Sequence, residues 1–208
     1  MTRFLPGILA MAAVVVASNI LVQFLILDGL LTWGAFTYPI AFLVTDVMNR
    51  IYGAGAARRV VLAGFIAGVI CSMIGSQIIG EFGPLVPLRI AIASGTAFLI
   101  AQLFDVAIFN RLRTGPWWRA PLVSSVAGSA LDTALFFTIA FAGFVNFGAA
   151  LDADVAWALD PVPLLLVGPA APLWVTLALA DWGVKIAVAL IALLPFRLIT
   201  TGKDAHLA

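Results

Sequence analysis

Long apolar runs alternate with short polar breaks along this chain, and the runs have membrane length. A helix needs about 20 apolar residues to cross the hydrocarbon core of a bilayer. Six runs reach or approach that length, at about 5–27, 31–49, 60–79, 88–110, 122–144 and 173–196. Each predicts a spanning helix. The first is too long for a removable signal peptide and lacks a cleavage-site pattern, so it reads as a retained span. Pro39 lies inside the second and predicts a kink or a break there. Residues 145–172 are partly apolar but hold four prolines, which opposes a regular span. They predict an interfacial helix or a re-entrant piece. There is no internal repeat, no low-complexity tract and no second domain, so residues 1–208 read as one integral membrane domain.

Composition agrees with a bilayer setting. The chain is 63% hydrophobic with a mean hydropathy of +1.15, and only 10% of its 208 residues are charged. A soluble domain carries about 25% charged residues. The net charge of +1 is uninformative as a total, but its distribution is not. Under a six-span arrangement Arg3, Arg50, Arg58, Arg59, Arg111, Arg113, Arg119, Arg197 and Lys203 all fall on one side. Asp28, Glu81, Asp152, Asp154 and Asp160 fall on the other, with Arg89 at a boundary. Basic loops stay inside, which predicts that both termini are cytoplasmic.

Ionisable groups at membrane depth are costly, face the bundle interior and mark paths or sites. Asn19 and Gln23 are four apart in the first span, which predicts a shared face. The second span carries Thr45, Asp46, Asn49 and Arg50, and the fourth carries Gln102 and Asp105. Ser125, Ser129 and Asp132 form a stripe on the fifth span, and Asp181 and Lys185 stand one turn apart on the sixth. Several of these have a plain alternative. Asp46 is either a same-helix partner of Arg50 or part of the cytoplasmic mouth. Asp105 can be neutralised by Arg111, and Asp181 by Lys185. Asn19, Gln23 and Gln102 can serve as interhelical glue. Asp132 has no basic residue within five positions, so it must be protonated, find Lys185 or another donor across the bundle, or meet a ligand. The third span differs: Gly64 and Gly68 give it a small-residue face that permits close packing, within the chain or in a homodimer.

Several chemistries are excluded or unsupported. The sole cysteine, Cys71, allows no internal disulfide and makes a Cys-based metal site untenable. The sole histidine, His206, is in the C-terminal tail and reads as solvated, so no Ser-His or Cys-His pair can form in the membrane. The sequence contains no GxxxxGK[ST], HExxH or GxSxG pattern. Orientation accounts for the basic loops, and nothing indicates nucleic-acid binding. A passage or a small-molecule pocket remains, and no enzyme, metal or cofactor is expected.

The stretch TWGAFTYPIAFLVTDVMNRIYGAGAARR, beginning at Thr32, resembles the signature of the queuosine precursor transporter family, also called the vitamin uptake transporter family. The resemblance continues through RIAIASGTAFLIAQLFDVAIFNRLR (Arg89 to Arg113), WWRAPLVSSVAGSALDTALFFTIAF (Trp117 to Phe141) and LALADWGVKIAVALIALLPF (Leu177 to Phe196). It covers most of the chain in order, and residues 145–172 are the departure from it. The resemblance implies an all-α protein of the bacterial inner membrane, similar to the six-helix substrate-binding subunits of energy-coupling vitamin importers. It implies uptake of 7-cyano-7-deazaguanine or its aminomethyl relative for tRNA modification, with no ATPase partner. A capture subunit that needs a separate ATPase is the second reading. A carboxylate can accept the adjacent N–H and NH₂ groups of a guanine edge, and charge-assisted pairs of this kind are directional. Asp132 or Asp181 is therefore the expected reader of that edge. Asn19 and Gln102 are candidates for the ring carbonyl and remaining donors. Trp33, Phe36, Tyr38, Phe136, Trp174 and Trp182 are candidates for stacking or, alternatively, for the interfacial aromatic belt. Asp46, Asp105, Arg50 and Lys185 are expected to gate the passage or carry protons.

Overall fold

A computed structural model describes residues 2–81 and 83–201; Lys203 and His206 lie outside the described residues. The chain begins with a 3-10 turn at Thr2–Phe4 and enters α1 (Leu5–Leu21). Strands β1 (Leu25–Ile26) and β2 (Leu31–Thr32) form a hairpin that leads to the short α2 (Gly34–Thr37). Helices α3 (Ile40–Tyr52) and α4 (Ala54–Gly75) follow, joined at Gly53. A second hairpin, β3 (Ile79–Gly80) with β4 (Gly83–Pro84), leads to α5 (Leu88–Leu112). Then come α6 (Arg119–Phe141) and the one-turn α7 (Ala149–Ala153). A third hairpin, β5 (Pro161–Pro163) with β6 (Ala170–Pro172), precedes α8 (Leu173–Thr200).

Four helices, α4, α5, α6 and α8, are long and apolar enough to cross a membrane, and α1 is a shorter apolar helix. Their outward faces are apolar: Ile66, Ile191 and Leu198 are 58%, 71% and 72% exposed. Along the 28 residues of α8 only Thr176, Lys185, Phe196 and Thr200 are buried. A polar group buried inward while aliphatic side chains face outward is the distribution that lipid selects.

Several expected boundaries move. The first span ends at Leu21 instead of near 27, because Leu27 and Asp28 take left-handed backbone angles (φ 52° and 54°) and turn the β1–β2 hairpin. Gln23 is therefore outside α1 and does not share a helical face with Asn19; its amide reaches the Leu85 carbonyl at 3.4 Å. Pro39 interrupts the second span as its fixed ring requires, leaving α2 and α3 on either side of Tyr38 and Pro39. Residues 145–172 do not form one continuous helix. They fold as α7, 3-10 turns and the β5–β6 hairpin, with Val155 and Ala158 buried against Phe137 and Phe141.

The bundle has two distinct ends. Arg59 lies over the Phe4 ring, Arg197 lies over Trp117, and Arg50 donates to the carbonyls of Arg113 and Trp117. The basic ends of α3, α4, α5 and α8 thus gather at one end. Antiparallel succession of the helices leaves the three hairpins at the other, where Gln23 and Leu85 join the first two. Helices α5 and α6 share the most extensive packing among the helices, and Gly128 lets them come close. A Cβ there would stand 2.9 Å from Phe42 Cε1 and 3.1 Å from Asp105 Cβ. Gly64 likewise faces Met11 and Phe98, so part of the small-residue face of α4 is used inside the chain.

Candidate functional site

Helix α6 carries the polar interior. Ser124, Ser125, Gly128, Ser129, Asp132 and Thr133 are all buried. Their positions repeat as adjacent pairs every four residues, which on a helix makes one stripe two residues wide. α3, α5 and α8 turn their own polar groups to that stripe, giving two clusters along its length.

Lys185 is the centre of the first. Its ammonium group is 2.7 Å from Asp132 Oδ2, 2.6 Å from Asp181 Oδ2 and 2.9 Å from Thr133 Oγ1. Thr133 donates in turn to Asp181 Oδ2 at 2.9 Å. Tyr38, at the break between α2 and α3, closes this cluster, with its ring centre 5.7 Å from Lys185 Nζ. Three ion-pairing groups with formal charges of one plus and two minus leave a negative excess in a largely buried cluster. Such a cluster is held by all of its partners together, since removing one leaves a buried charge unmatched. Asp132 and Asp181 differ in access: their side chains are 4% and 17% exposed.

Asp46 and Asp105 are the centre of the second, nearer the arginine end. Ser125 and Ser124 donate to the two Asp46 oxygens at 3.0 and 3.2 Å. Thr45 donates to Gln102 Oε1 at 2.7 Å, and the Asn49 amide donates to the Val106 carbonyl at 3.1 Å. Asp105 meets the same stretch of α6 as Asp46: Gly128, one turn beyond Ser124, packs against Asp105 and Phe42. Asp105 is fully buried and neither of its oxygens has a hydrogen-bond donor among the described residues. Gln102 Nε2 and Asn49 Oδ1 are also buried without partners there. Buried polar atoms without partners are rare and costly, and each one asks for a cause.

Two cavities touch these clusters. A narrow one of about 10 Å³ runs between α3, α6 and α8, with Asp46, Ser125, Ser129 and Lys185 on its wall. A larger one of about 530 Å³ lies between α1, α4 and α5. It is mainly apolar, with Asn19, Tyr38, Ser72, Ser76, Ser94 and Thr96 as polar points on its wall. Its size falls in the range of small-molecule pockets. Tyr38 stands between this cavity and Lys185.

The expected site residues therefore divide. Asp132, Asp181, Lys185 and Tyr38 come together. Gln102 joins Asp46 and Asp105 instead of the Lys185 cluster. Asn19 lines the large cavity and donates to its own helix at Val15. Trp33 and Phe36 pair with each other on the surface, 53% and 37% exposed, away from both clusters. Trp182 is partly buried and its indole N–H has no partner among the described residues. Trp174 and Phe136 pack under the α7 loop with Phe137 and Phe141. The same-helix pairing of Asp46 with Arg50 does not form. Arg50 instead donates to carbonyls and lies 5.5 and 5.8 Å from the ring centres of Phe109 and Phe196. Arg111 is exposed and leaves buried Asp105 without a cation. Thr133 and Ser124 were not singled out in the sequence. The paired four-residue spacing on α6 was their only signal, and a stripe read one residue wide passes over it.

The family described as "Putative vitamin uptake transporter" matches residues 32–200. The chain is 35% identical over 195 residues to the "Queuosine precursor transporter" of Escherichia coli (strain K12), an alignment covering 88% of this chain and 79% of that one. It is 41% identical over 121 residues to the "Probable queuosine precursor transporter" of Haemophilus influenzae (strain ATCC 51907 / DSM 11121 / KW20 / Rd), covering 53% and 52% of the two chains. A protein of the same description from Bacillus subtilis (strain 168) is 30% identical over 132 residues, covering 54% of this chain and 57% of its own. No solved structure matches the chain. With α2–α8, the Lys185 cluster and the Asp46–Asp105 pair all inside the matched region, this chain belongs to the vitamin uptake transporter family.

Proposed function

We propose that this protein takes up queuosine precursors, 7-cyano-7-deazaguanine or its aminomethyl relative, across the bacterial inner membrane for tRNA modification. The observation that carries the reading is the Lys185 cluster, a buried charged group shared by α6 and α8 inside a chain of this family. Ionisable side chains in a membrane interior are expensive and mark passages or sites. Asp181 is the better placed of the two acids to accept a guanine edge, because its side chain is the more exposed and Thr133 and Lys185 hold one oxygen in position. Tyr38 supplies an aromatic face beside Lys185 and also borders the 530 Å³ cavity, so movement of that one ring would join the cavity to the cluster. Six crossings with both termini in the cytoplasm complete the reading. α2 and α3 together make the second crossing: Gly34 to Tyr52 measures about 28 Å at a rise of about 1.5 Å per residue.

The test is the queuosine content of tRNA in a host that lacks precursor synthesis and its own importer. Fed nanomolar 7-cyano-7-deazaguanine, cells expressing this protein should regain the modified base. Membrane-inserted protein that restores nothing would refute the reading. Asp181→Asn should raise the precursor concentration needed for half-maximal restoration about tenfold or more, as for a lost hydrogen bond to a charged group of about 1.5–3 kcal/mol. Unchanged dose dependence would remove Asp181 from the site.

A further inference from the structure

The Lys185 cluster satisfies itself; the Asp46–Asp105 pair does not. Asp105 is completely buried, both of its oxygens lack donors among the described residues, and the Asp46 carboxyl group on the same stretch of α6 already accepts from Ser124 and Ser125. From α3 the pair is faced by Thr45 and Asn49, from α5 by Gln102, and from α6 by Ser124 and Ser125. Lys185 of α8 lies across the narrow cavity but is occupied by Asp132, Asp181 and Thr133. Arg50 is turned away to backbone carbonyls. No cation of the described chain is left for these two carboxyl groups. Oxygen atoms so arranged need a positive species from outside, and space decides which. Gly128 brings α6 against Asp105, and the cavity that reaches Asp46 is about 10 Å³. That is about the least that holds one water molecule and too little for a hydrated metal ion. A proton needs no room and makes a hydrogen bond between two carboxyl groups.

We propose that Asp46 and Asp105 form a proton-binding site that couples uptake to the proton gradient. The proposal rests on the transport reading above. One proton enters from the outer compartment and binds a carboxylate oxygen of the pair. The narrow cavity brings room for about one water to Asp46, Ser125, Ser129 and Lys185, and that water would hand the proton to the pair. The O–H bond breaks on the cytoplasmic side, where the proton leaves with the substrate. No electron moves, and with a neutral substrate each cycle carries one positive charge inward.

Purified protein in liposomes that contain a pH-sensitive dye tests this. External 7-cyano-7-deazaguanine should acidify the lumen as it enters, and an acid-outside gradient should concentrate it several-fold above equilibrium. Exchange of labelled for unlabelled substrate, which needs no net proton movement, reports transport separately. Exchange without acidification overturns the proton coupling while leaving the transport reading intact; absence of exchange as well defeats the transport reading. Accumulation driven by a sodium gradient at equal pH overturns the proton as the ligand. Asp105→Asn should abolish acidification and gradient-driven accumulation, and Asp105→Glu, which keeps the carboxyl group, should restore part of both. An Asp105→Asn protein that still acidifies the lumen overturns the assignment to this pair.

Discussion

Lys185 uses all of its ammonium donors on Asp132, Asp181 and Thr133, and it does so with 5% of its side chain exposed. Lys185→Met would leave two carboxylates facing each other's field without a cation. Breaking a buried ion pair from one side costs about 3–5 kcal/mol, because the remaining charge is left desolvated. The variant should therefore lose stability by an amount of that order, read as a lower midpoint of thermal unfolding in detergent. Adding Asp132→Asn and Asp181→Asn to it should recover most of the loss. A triple variant no more stable than the single one would show that the cluster is not held by charge. The i, i+4 spacing of Asp181 and Lys185 was legible in the sequence. The pairing of Asp132 with Lys185 across the bundle was one of several options in the sequence, and only packing, which brings the two side chains to 2.7 Å, selects it.

At the scale of elements, the contact between α5 and α6 depends on a residue without a side chain. Gly128→Val would place methyl groups where Phe42, Asp105 and the Ala101 carbonyl already stand. Overpacking costs about 1–3 kcal/mol when the neighbours are helix backbone and buried rings. The expected result is a lower unfolding midpoint together with loss of uptake, because the same step displaces Asp105. A Gly128→Val protein of unchanged stability would show that the two helices can part without cost. A second element-scale device lies at the hairpin end. Arg89, the boundary arginine at the start of α5, is 3% exposed and donates to Ile139 O at 3.0 Å, Ala142 O at 2.8 Å and Asp152 Oδ1 at 2.7 Å. Asp152 also accepts from the Phe147 N–H at 3.2 Å. One guanidinium thus ties the end of α6 and the α7 segment to α5, with bonds of the strong, charge-assisted kind. Arg89→Gln should leave the bundle folded but free the segment around α7. Faster proteolysis within 145–172 would register this, and an unchanged cleavage rate would assign the hold on that segment to Val155, Ala158 and Trp157 alone.

For the whole molecule the open quantity is which end faces the cytoplasm. The arginines gather at one end and the hairpins at the other, and positively charged loops remain inside. With Cys71 replaced by serine, a cysteine at Thr114 should react with an impermeant maleimide only in inverted vesicles. A cysteine at Asp154 should react from outside in intact spheroplasts. Labelling of both from the same side would break the six-crossing arrangement.

Composition and the recurrence of apolar runs determined, without any structure, that this is a helical membrane protein. Burial in lipid demands long apolar helices and admits few charges, so the solvent is written into the residue counts. The family was legible for a similar reason, in four Asp-bearing stretches met in order. Which partners Asp46 and Asp105 meet was decided by tertiary structure. Local spacing offered Arg50 to Asp46 and Arg111 to Asp105. The packed helices instead give Asp46 the hydroxyl groups of α6 and leave Asp105 with none. Sequence separation carries no information about such contacts, because interhelical approach depends on where a glycine lets two backbones close. It depends equally on where a proline ends a helix and on where a left-handed pair at Leu27 and Asp28 turns the chain before its apolar run is over.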